Sequence, residues 1–339
     1  MDSNTHPVTQ PPLIDAFGRR ITYLRLSVTD RCDLRCQYCM EEQPTFLPKQ
    51  DLLSYEELTA ICDSFIARGV SKIRITGGEP LVRRDVLSLI EALGQRLGSH
   101  GLREICLTTN GTQLARYATR LADAGVRRIN VSLDTLDEVM FQRLTRNGRL
   151  GDVLKGIDAA QKAGLQIKIN AVALQGENEH QIEDLMVWAH GRGLDMSLIE
   201  VMPVGEIGVQ RNSQFLSLKT VRARLEERFT LRDIALDTGG PSRYAQVAET
   251  GGRLGFISPL SHNFCDTCNR VRVTCTGKLY MCLGKENSVD LRDALRTGGR
   301  TALDERLDMA MANKPERHDF DVSEQGQAAV ARSMAETGG

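Results

Sequence analysis

Three cysteines near the start of the chain carry its clearest chemical signal. They are Cys32, Cys36 and Cys39, in the run LSVTDRCDLRCQYCM, which follows an alternating apolar segment. Three thiolates at this C-x3-C-x2-C spacing can hold an iron–sulfur cluster and leave one iron without a protein ligand. A structural zinc site needs four ligands, and no fourth Cys or His lies in the local loop. The spacing therefore favours a cluster with an open iron, where chemistry can take place.

A second group of cysteines lies in the run NFCDTCNRVRVTCTGKLYMCLG. Its members are Cys265, Cys268, Cys275 and Cys282. By spacing alone, a four-thiolate zinc site is favoured. If the run from Arg270 to Cys275 is extended, however, Arg270 and Arg272 share one face of the strand and Cys275 takes the other. Three cysteines then remain for a second open cluster, and the two arginines beside it suit a polyphosphate.

The elements that position these residues alternate between apolar strands and amphipathic helices as far as residue 201. The predicted strands are Tyr23–Val28, Lys72–Thr76, Glu104–Thr109, Arg128–Leu133, Gln166–Val172 and Met196–Val201. The predicted helices are Tyr55–Ala67, Asp85–Leu97, Thr112–Ala124, Val139–Thr145, Val153–Ala163 and Glu179–His190. This rhythm predicts a parallel sheet, either open or curled into a barrel. Polar or cysteine-bearing segments follow five successive strands, which favours a closed or partly closed barrel.

Beyond Met202 the rhythm stops. We predict a flexible N-terminal arm over 1–15, a barrel over 16–209 and a C-terminal domain over 210–339, with helices at Leu218–Phe229, Leu291–Leu295 and Leu303–Met311 and a short strand at Arg253–Ile257. Cys62 and Cys106 lie in apolar runs and are expected in the core.

The whole-chain composition excludes several classes of partner. The 339 residues have a formal net charge of -1 with both signs mixed, which disfavours a nucleic-acid binder. No stretch approaches the roughly 18 apolar residues of a membrane span, and the opening segment has no apolar signal region. We therefore expect a cytoplasmic protein without a membrane or nucleic-acid partner.

Three cations lie inside otherwise apolar strands. They are Arg25, Arg74 and Lys168, and each needs either a partner or a polar barrel interior. Three such cations pointing into one barrel would suit a triphosphate, although each could instead reach solvent at a strand edge. Thr108 and Ser132 stand at strand ends, where a hydroxyl is more often a helix cap or a turn residue.

The first cysteine motif, with Tyr38 before its third cysteine, resembles the radical S-adenosylmethionine (SAM) superfamily. The GGEP segment at Gly77–Pro80 fits the same superfamily, although by itself it reads equally well as a tight turn before a helix. The resemblance implies a partial (β/α)6 TIM-like barrel, with the amino and carboxylate groups of SAM on the open iron. A C-terminal iron–sulfur domain would close the barrel mouth.

The combination of both cysteine motifs with GGEP, C-N-R-x-R, G-K-L-x-x-C-L and a final Gly-Gly resembles the GTP 3',8-cyclase family of molybdenum cofactor biosynthesis. It implies two [4Fe-4S] clusters, one on Cys32, Cys36 and Cys39 and one on Cys265, Cys268 and Cys282. It implies SAM contacts at Tyr38, Gly78, Ser132 and Met202. It implies GTP contacts at Arg25, Arg74, Thr108, Lys168, Arg270, Val271 and Arg272.

The same resemblance implies the reaction and the partners. A SAM-derived radical would take hydrogen from C3' of GTP, and C3' would then bond to guanine C8. The Gly338–Gly339 tail could reach into a narrow site, or be an ordinary loose terminus. An electron donor, a homodimer and a downstream cyclic pyranopterin monophosphate synthase are expected.

One position departs from the family pattern. Ser197 stands where the family commonly has an arginine, so one anion contact is in doubt. This is compatible with weaker GTP binding, with a compensating cation elsewhere or with a diverged paralogue. The alternatives are therefore another radical SAM enzyme with an auxiliary cluster, and a zinc-stabilised, non-catalytic nucleotide-binding protein.

Overall fold

The computed structural model describes residues 10–98, 101–205, 211–320 and 328–338. Its strands are β1 (Tyr23–Ser27), β2 (Lys72–Thr76), β3 (Glu104–Thr109), β4 (Arg128–Ser132), β5 (Gln166–Ala173), β6 (Asp195–Glu200), β7 (Leu231–Ile234), β8 (Arg243–Val247), β9 (Arg253–Ile257), β10 (Arg270–Val273), β11 (Lys278–Tyr280) and β12 (Ser288–Asp290). Its α-helices are α1 (Tyr55–Ala67), α2 (Val86–Gly94), α3 (Leu114–Asp123), α4 (Glu138–Thr145), α5 (Leu150–Lys162), α6 (Ile182–Gly191), α7 (Arg211–Gln214), α8 (Leu218–Glu226), α9 (Leu291–Ala312) and α10 (Met334–Thr337).

All strands of the described residues belong to one open sheet, in the order β12-β11-β10-β1-β2-β3-β4-β5-β6-β9-β8-β7. Strands β1 to β6 are parallel neighbours, joined by helices as in a partial barrel. The predicted partial (β/α)6 barrel is therefore confirmed, and each of its six strands ends within one residue of the prediction.

The C-terminal part of the chain adds strands to both edges of this sheet. Strand β10 pairs in parallel with β1, and β9 pairs in parallel with β6. The first cysteine motif thus follows β1, and Cys265 and Cys268 precede its neighbour β10, although the two motifs are far apart in the sequence. The predicted domain boundary at residue 209 lies outside the described residues, so the division into two domains stays a prediction.

The two faces of each barrel strand have different roles. In β2, Ile73 and Ile75 are fully buried in the hydrophobic core, while Lys72 and Arg74 point to the opposite, inner face. Cys62 and Cys106 are also fully buried, as predicted; Cys62 packs in the hydrophobic core, whereas Cys106 is in register with Arg74 on the inner face. Polar groups of the inner face are therefore carried on a rigid apolar framework.

Two helices differ from their predictions for local reasons. Helix α6 begins at Ile182 instead of residue 179, because the Asn178 side chain accepts from Leu174 N at 2.9 Å and donates to Val172 O at 2.8 Å, which holds the preceding segment as a loop. The two helices predicted after residue 290 are joined in α9, with a non-helical break at Gly299 (φ 62°). Glycine tolerates this left-handed backbone without the cost that a Cβ would bring.

The end of the predicted N-terminal arm is packed. Residues 1–9 lie outside the described residues, but Leu13 is fully buried, and its N–H donates to Arg68 O at 3.1 Å. Its carbonyl accepts from Ile21 N at 2.9 Å. The prediction of a loose arm as far as residue 15 is wrong for this end, because an isolated leucine in a polar run gains from burial. Within the described ranges, no helix combines the length and apolar character that a bilayer crossing requires.

Candidate functional site

The first three cysteines share one loop after β1. A turn in which Cys39 N donates to Cys36 O at 2.9 Å shapes the loop, and Arg35 N donates to Thr145 O at 2.9 Å, which ties it to α4. Burial is the main reason that the pKa of the Cys36 thiol lies well above its usual value, and the Cys39 and Cys32 thiols raise it further. The three thiols thus lie in one short loop, within range of each other's charge.

The GGEP segment packs directly against this loop. A Cβ on Gly77 would lie 2.6 Å from Thr29 O, and one on Gly78 would lie 2.4 Å from Arg31 O. Both contacts are too short for any side chain. The two glycines are thus required by the backbone of the cysteine loop, a reason for them that the sequence interpretation lacked.

Glu79 of the same segment is fully buried. Its carboxyl accepts hydrogen bonds from Leu81 N at 3.0 Å, Thr109 Oγ1 at 2.8 Å and Asn110 N at 2.6 Å. Burial raises its pKa to about 7, against the lowering effect of these donors. Asn110 in turn donates to Cys32 Sγ at 3.7 Å. Glu79 therefore links the end of β3 to the cysteine loop, and sequence reasoning did not single it out.

Substitution Glu79→Gln is expected to destabilise the chain by about 1–3 kcal/mol, because one oxygen becomes an NH2 group that faces a backbone N–H donor. Chemical denaturation at pH 8 measures the change. The exposed Glu91→Gln on α2 is the matched control and should leave the free energy of unfolding almost unchanged. An unaltered denaturation midpoint for Glu79→Gln contradicts the linking role.

Two of the predicted SAM contacts, Ser132 and Met202, lie at the end of β4 and just beyond β6, whereas Gly78 follows β2 and Tyr38 lies in the loop after β1. Tyr38 Oη donates to Asp134 Oδ2 at 2.6 Å, and Asp134 also accepts from Val172 N at 2.8 Å. Burial raises the pKa of Asp134 to about 6. Asn170, in register with Ser132, has a buried Oδ1 without a hydrogen-bond partner among the described residues. Such an acceptor fits the ribose hydroxyls of SAM, and its alternation with Lys168 on β5 was the signal that could have found it.

A cavity of about 520 Å³ lies over the inner face of the sheet. It brings together the predicted substrate residues, three of the four cysteines of the second group and Met202, namely Arg25, Arg74, Thr108, Lys168, Met202, Cys265, Cys268, Arg270, Val271, Arg272 and Cys282. Val271 itself is buried in the hydrophobic core, so only its backbone could bind a polar ligand. Cys32, Cys36, Cys39, Tyr38, Gly78 and Ser132 are not lining residues of this cavity.

Three arginines form a row across this cavity. Arg25 of β1 is in register with Arg272 on one side and with Arg74 on the other. Neighbouring strands are about 4.8 Å apart, so the row concentrates positive charge. Burial, followed by the charges of Arg25 and Arg270, lowers the pKa of Arg272 well below its usual value. This repulsion makes the row suitable for a polyanion.

The chain's C-terminal segment reaches the same row. Arg272 Nη1 donates to Gly338 O at 2.6 Å, and Arg25 Nη2 donates to the same carbonyl at 3.4 Å. Gly339 lies outside the described residues. Gly338 packs with its Cα against Thr76, where a Cβ would lie 2.3 Å from the side chain. A residue with a side chain could not take this place.

Further polar groups complete the cavity. Arg74 Nε donates to Tyr23 Oη at 2.5 Å, and Arg74 Nη1 donates to Thr108 Oγ1 at 3.3 Å. Lys72 lies beside Glu104, with Nζ and Oε2 3.1 Å apart. Sequence reasoning missed Lys72 because this residue is the first of its strand. Lys72 nevertheless lies on the same face of β2 as Arg74, two residues further along. Burial lowers the pKa of Lys168, whose Nζ donates to Tyr244 Oη at 3.1 Å.

At position 197, where the family commonly has an arginine, neighbouring side chains occupy the space around Ser197. Ser197 is fully buried, with its Oγ 3.2 Å from Ser242 Oγ. It is in register with Gly255, where a Cβ would lie 2.1 Å from Ser242 Oγ and 2.4 Å from Ser197 Oγ. The segment before β8 therefore occupies the volume that an arginine would need, and the same segment brings Tyr244 to Lys168.

Three of the four cysteines of the second group line the cavity, and the fourth, Cys275, does not. Cys265, Cys268 and Cys282 line the same cavity, and Cys268 N donates to Cys265 O at 3.0 Å. We call them the auxiliary cysteines. Burial raises the pKa of Cys275 to about 12, and the charges that act most on it are those of Asp30, which raises it, and Arg83, which lowers it. Among the described residues, no three Cys, His, Asp or Glu side chains converge on a site for a single metal ion. A set of three thiols fits a larger iron–sulfur cluster.

Two family models match successive parts of the chain. The model of the radical SAM superfamily matches residues 26–189, and the model described as Molybdenum Cofactor Synthesis C matches residues 194–320. The first match contains the end of β1, the cysteine loop and strands β2 to β5, and β6 falls in the second match. The second contains the auxiliary cysteines and the strands that extend both edges of the sheet.

Solved structures with the same fold include Streptococcus suis SuiB bound to S-adenosylmethionine. It superimposes with a TM-score of 0.59 at 17% identity, covering 90% of this chain and 77% of that chain. Native anSMEcpe with bound AdoMet gives a TM-score of 0.59 at 15% identity, covering 86% and 82%. At these identities the likeness concerns the fold alone.

Curated relatives match over nearly the full length. A GTP 3',8-cyclase from Rhizobium etli is 58% identical over 340 residues, covering 99% of this chain and 97% of that protein. A GTP 3',8-cyclase from Brucella canis is 58% identical over 337 residues, covering 98% of both. One from Rhizobium meliloti is 56% identical over 340 residues. Identity at this level along both matched regions means that the chain belongs to the GTP 3',8-cyclase family, within the radical SAM superfamily.

Proposed function

We propose that this chain converts GTP to (8S)-3',8-cyclo-7,8-dihydroguanosine 5'-triphosphate in molybdenum cofactor biosynthesis, as a radical SAM lyase. The observation that carries the proposal is the row of in-register arginines in a cavity that also holds three auxiliary cysteines. A triphosphate is the polyanion that the row would bind, and a base at the other end of the nucleotide would lie toward the auxiliary cysteines.

The first cysteine loop would hold one [4Fe-4S] cluster and, with it, SAM. When bound, these groups supply the one-electron chemistry that generates a 5'-deoxyadenosyl radical. The chain's own residues position the cofactor: Ser132 and Met202 at strand ends, Asn170 through its open acceptor, and Tyr38 through the loop that it fixes on Asp134. Gly78 lets this loop and the GGEP segment approach each other.

The cavity residues would bind and orient the substrate. Arg25, Arg74, Arg270, Arg272 and Lys168 neutralise the phosphates, since bidentate guanidinium contacts suit their geometry. Thr108, held near Arg74, offers a hydroxyl to the ribose. The backbone of Val271 lies between the two arginines of its strand. Cys265, Cys268 and Cys282 would hold the second [4Fe-4S] cluster near the base. Fixing C3' and C8 of one nucleotide within reach of each other is the main catalytic contribution of such a site.

Anaerobic turnover tests this proposal. Reconstituted protein is mixed with dithionite, SAM and GTP, and 5'-deoxyadenosine and the cyclised nucleotide are followed by mass spectrometry. Both products are expected. Deoxyadenosine without loss of GTP would support another radical SAM enzyme with a different substrate. Zinc without iron or labile sulfide after anaerobic purification would support the non-catalytic alternative.

Partners and location extend the proposal. The family resemblance supports an electron donor, a homodimer and a downstream cyclic pyranopterin monophosphate synthase that takes the product. Light scattering of the purified chain measures the oligomeric state. The cytoplasmic location, without a membrane or nucleic-acid partner, also stays a prediction.

A further inference from the structure

Three buried cations surround the auxiliary cysteines. The contacts are Arg19 Nη1 to Cys265 O at 2.8 Å, Arg332 Nη2 to Cys282 O at 3.2 Å and Lys314 Nζ to Cys268 Sγ at 3.7 Å. The three cationic residues are 9%, 7% and 3% exposed, respectively. Each auxiliary cysteine thus has its own buried cation, and of these three only Lys314 contacts a sulfur. The Arg270 side chain also hydrogen-bonds to the Cys268 thiol.

The balance of charge distinguishes Lys314 from the other two. Arg19 Nε lies 2.6 Å from Asp15 Oδ2, and Arg332 Nη1 lies 2.8 Å from Glu286 Oε2. No carboxylate among the described residues lies within 4.0 Å of the Lys314 ammonium, whose second acceptor is Met281 O at 3.1 Å. A buried cation without an opposite charge is strongly unfavourable. Lys314 therefore needs an anion on the side of the auxiliary cysteines.

The surrounding structure holds the ammonium where such an anion would lie. Lys314 follows the C-terminal end of α9, and the next two carbonyls, of Pro315 and Glu316, accept from Arg19 at 2.7 and 2.6 Å. Met281 immediately precedes Cys282, so a single ammonium connects the Cys268 loop to the Cys282 segment.

We propose that Lys314 is the counter-ion of the auxiliary iron–sulfur cluster and that it favours the reduced state of this cluster. The proposal rests on the assignment of that cluster to the auxiliary cysteines. A [4Fe-4S]2+ core with three thiolates carries one net negative charge, and one electron from an external reductant adds a second. A fixed ammonium attracts the reduced form more strongly than the oxidised form. Lys314 is therefore a positioning residue that acts on the reduction potential of the cluster through its own positive charge.

The test is a redox titration of the full chain in which Cys32, Cys36 and Cys39 are replaced by alanine, so that only the auxiliary cluster remains. Dithionite supplies the electron, and the reduced cluster is counted by electron paramagnetic resonance. At the midpoint potential of this parent, Lys314→Met and Lys314→Gln should each lower the ratio of reduced to oxidised cluster about tenfold, which corresponds to about 59 mV for one electron. Lys314→Arg should match the parent. The exposed Lys155→Met on α5 controls for the change in net charge.

Iron and sulfide analysis of each variant shows whether the auxiliary cluster is still bound, so that a change in potential can be told from loss of the cluster. Loss of the cluster from the Met and Gln variants, with retention in the Arg variant, also supports a counter-ion. Unchanged midpoint potentials in the Met and Gln variants overturn the proposal. Loss of the cluster from all three Lys314 variants also overturns it, because the side-chain packing of Lys314, and not its charge, would then be what the cluster needs. A parent that binds no iron refutes the cluster assignment itself and, with it, this proposal.

Discussion

Substitution Arg272→Met is expected to weaken GTP binding while stabilising the ligand-free chain. Arg272 is half-buried beside Arg25 and Arg270, and desolvation and these two charges lower its pKa. Removing it relieves repulsion that only a polyanion would otherwise offset. Truncating one partner of a buried charge pair costs about 2 kcal/mol or more, so the Kd for GTP should rise at least about thirtyfold. Methionine keeps most of the side-chain volume.

Anaerobic calorimetry with GTP and thermal unfolding without it measure the two effects. Arg272→Lys separates charge from geometry: it should keep the native unfolding temperature but bind GTP less tightly, because an ammonium lacks the bidentate fork. Arg116→Met, on the exposed face of α3, is the matched control and should change neither quantity. An unaltered Kd for Arg272→Met would remove the residue from the substrate site. A clear drop in unfolding temperature would show that its bonds to the C-terminal carbonyls outweigh the repulsion.

Local patterns in the sequence were enough to predict the barrel strands. In each strand, apolar residues alternate with the residues of the other face, at a period of two. Each strand is followed by a helix in which apolar residues recur at helical spacing. The polar exceptions inside these strands, Arg25, Arg74 and Lys168, line the cavity as predicted. The face on which they lie could be predicted because a charged residue is unusual in an otherwise apolar strand.

The pairing of β10 with β1 was not predictable in this way. It aligns Arg272 with Arg25 across about 250 residues of sequence, and nothing local in either strand specifies the other. Register of this kind depends on the whole sheet, since every neighbour must bury its apolar face together. The sequence therefore indicated cations of the right kind but not their arrangement as a row.

Lys314 shows a second limit of sequence reasoning. It lies after a helix in the polar run NKPERHD, where a solvated lysine is the ordinary expectation. Its burial arises from long-range contacts: Arg19, near the start of the chain, holds the segment that follows it. The filled space at Ser197 is similar, because only the structure shows that Ser242 covers it. Both features depend on which segments meet, not on composition.

Two single substitutions are expected to stop turnover at different steps. Cys39→Ala removes one of only three thiols in the first loop, so this cluster should be lost and 5'-deoxyadenosine should fall to the level of the control without protein. Cys282→Ala removes one auxiliary cysteine and leaves the first loop intact. It should still release 5'-deoxyadenosine with dithionite and SAM, but it should form no cyclised nucleotide, because the auxiliary cluster that would orient the base is damaged.

The contrast between the two variants is more informative than either loss alone. Cys62→Ala is the matched control, because Cys62 is a fully buried cysteine of α1 that belongs to neither set, and it should keep both products while losing some stability. Mass spectrometry of both products, with iron counted in each variant, measures the outcome. If Cys282→Ala forms the cyclised nucleotide at the native rate, the auxiliary cysteines do not orient the substrate. If it also stops deoxyadenosine formation, the two cysteine sets act as one coupled site, since damage beside β10 then reaches the loop after its neighbour β1.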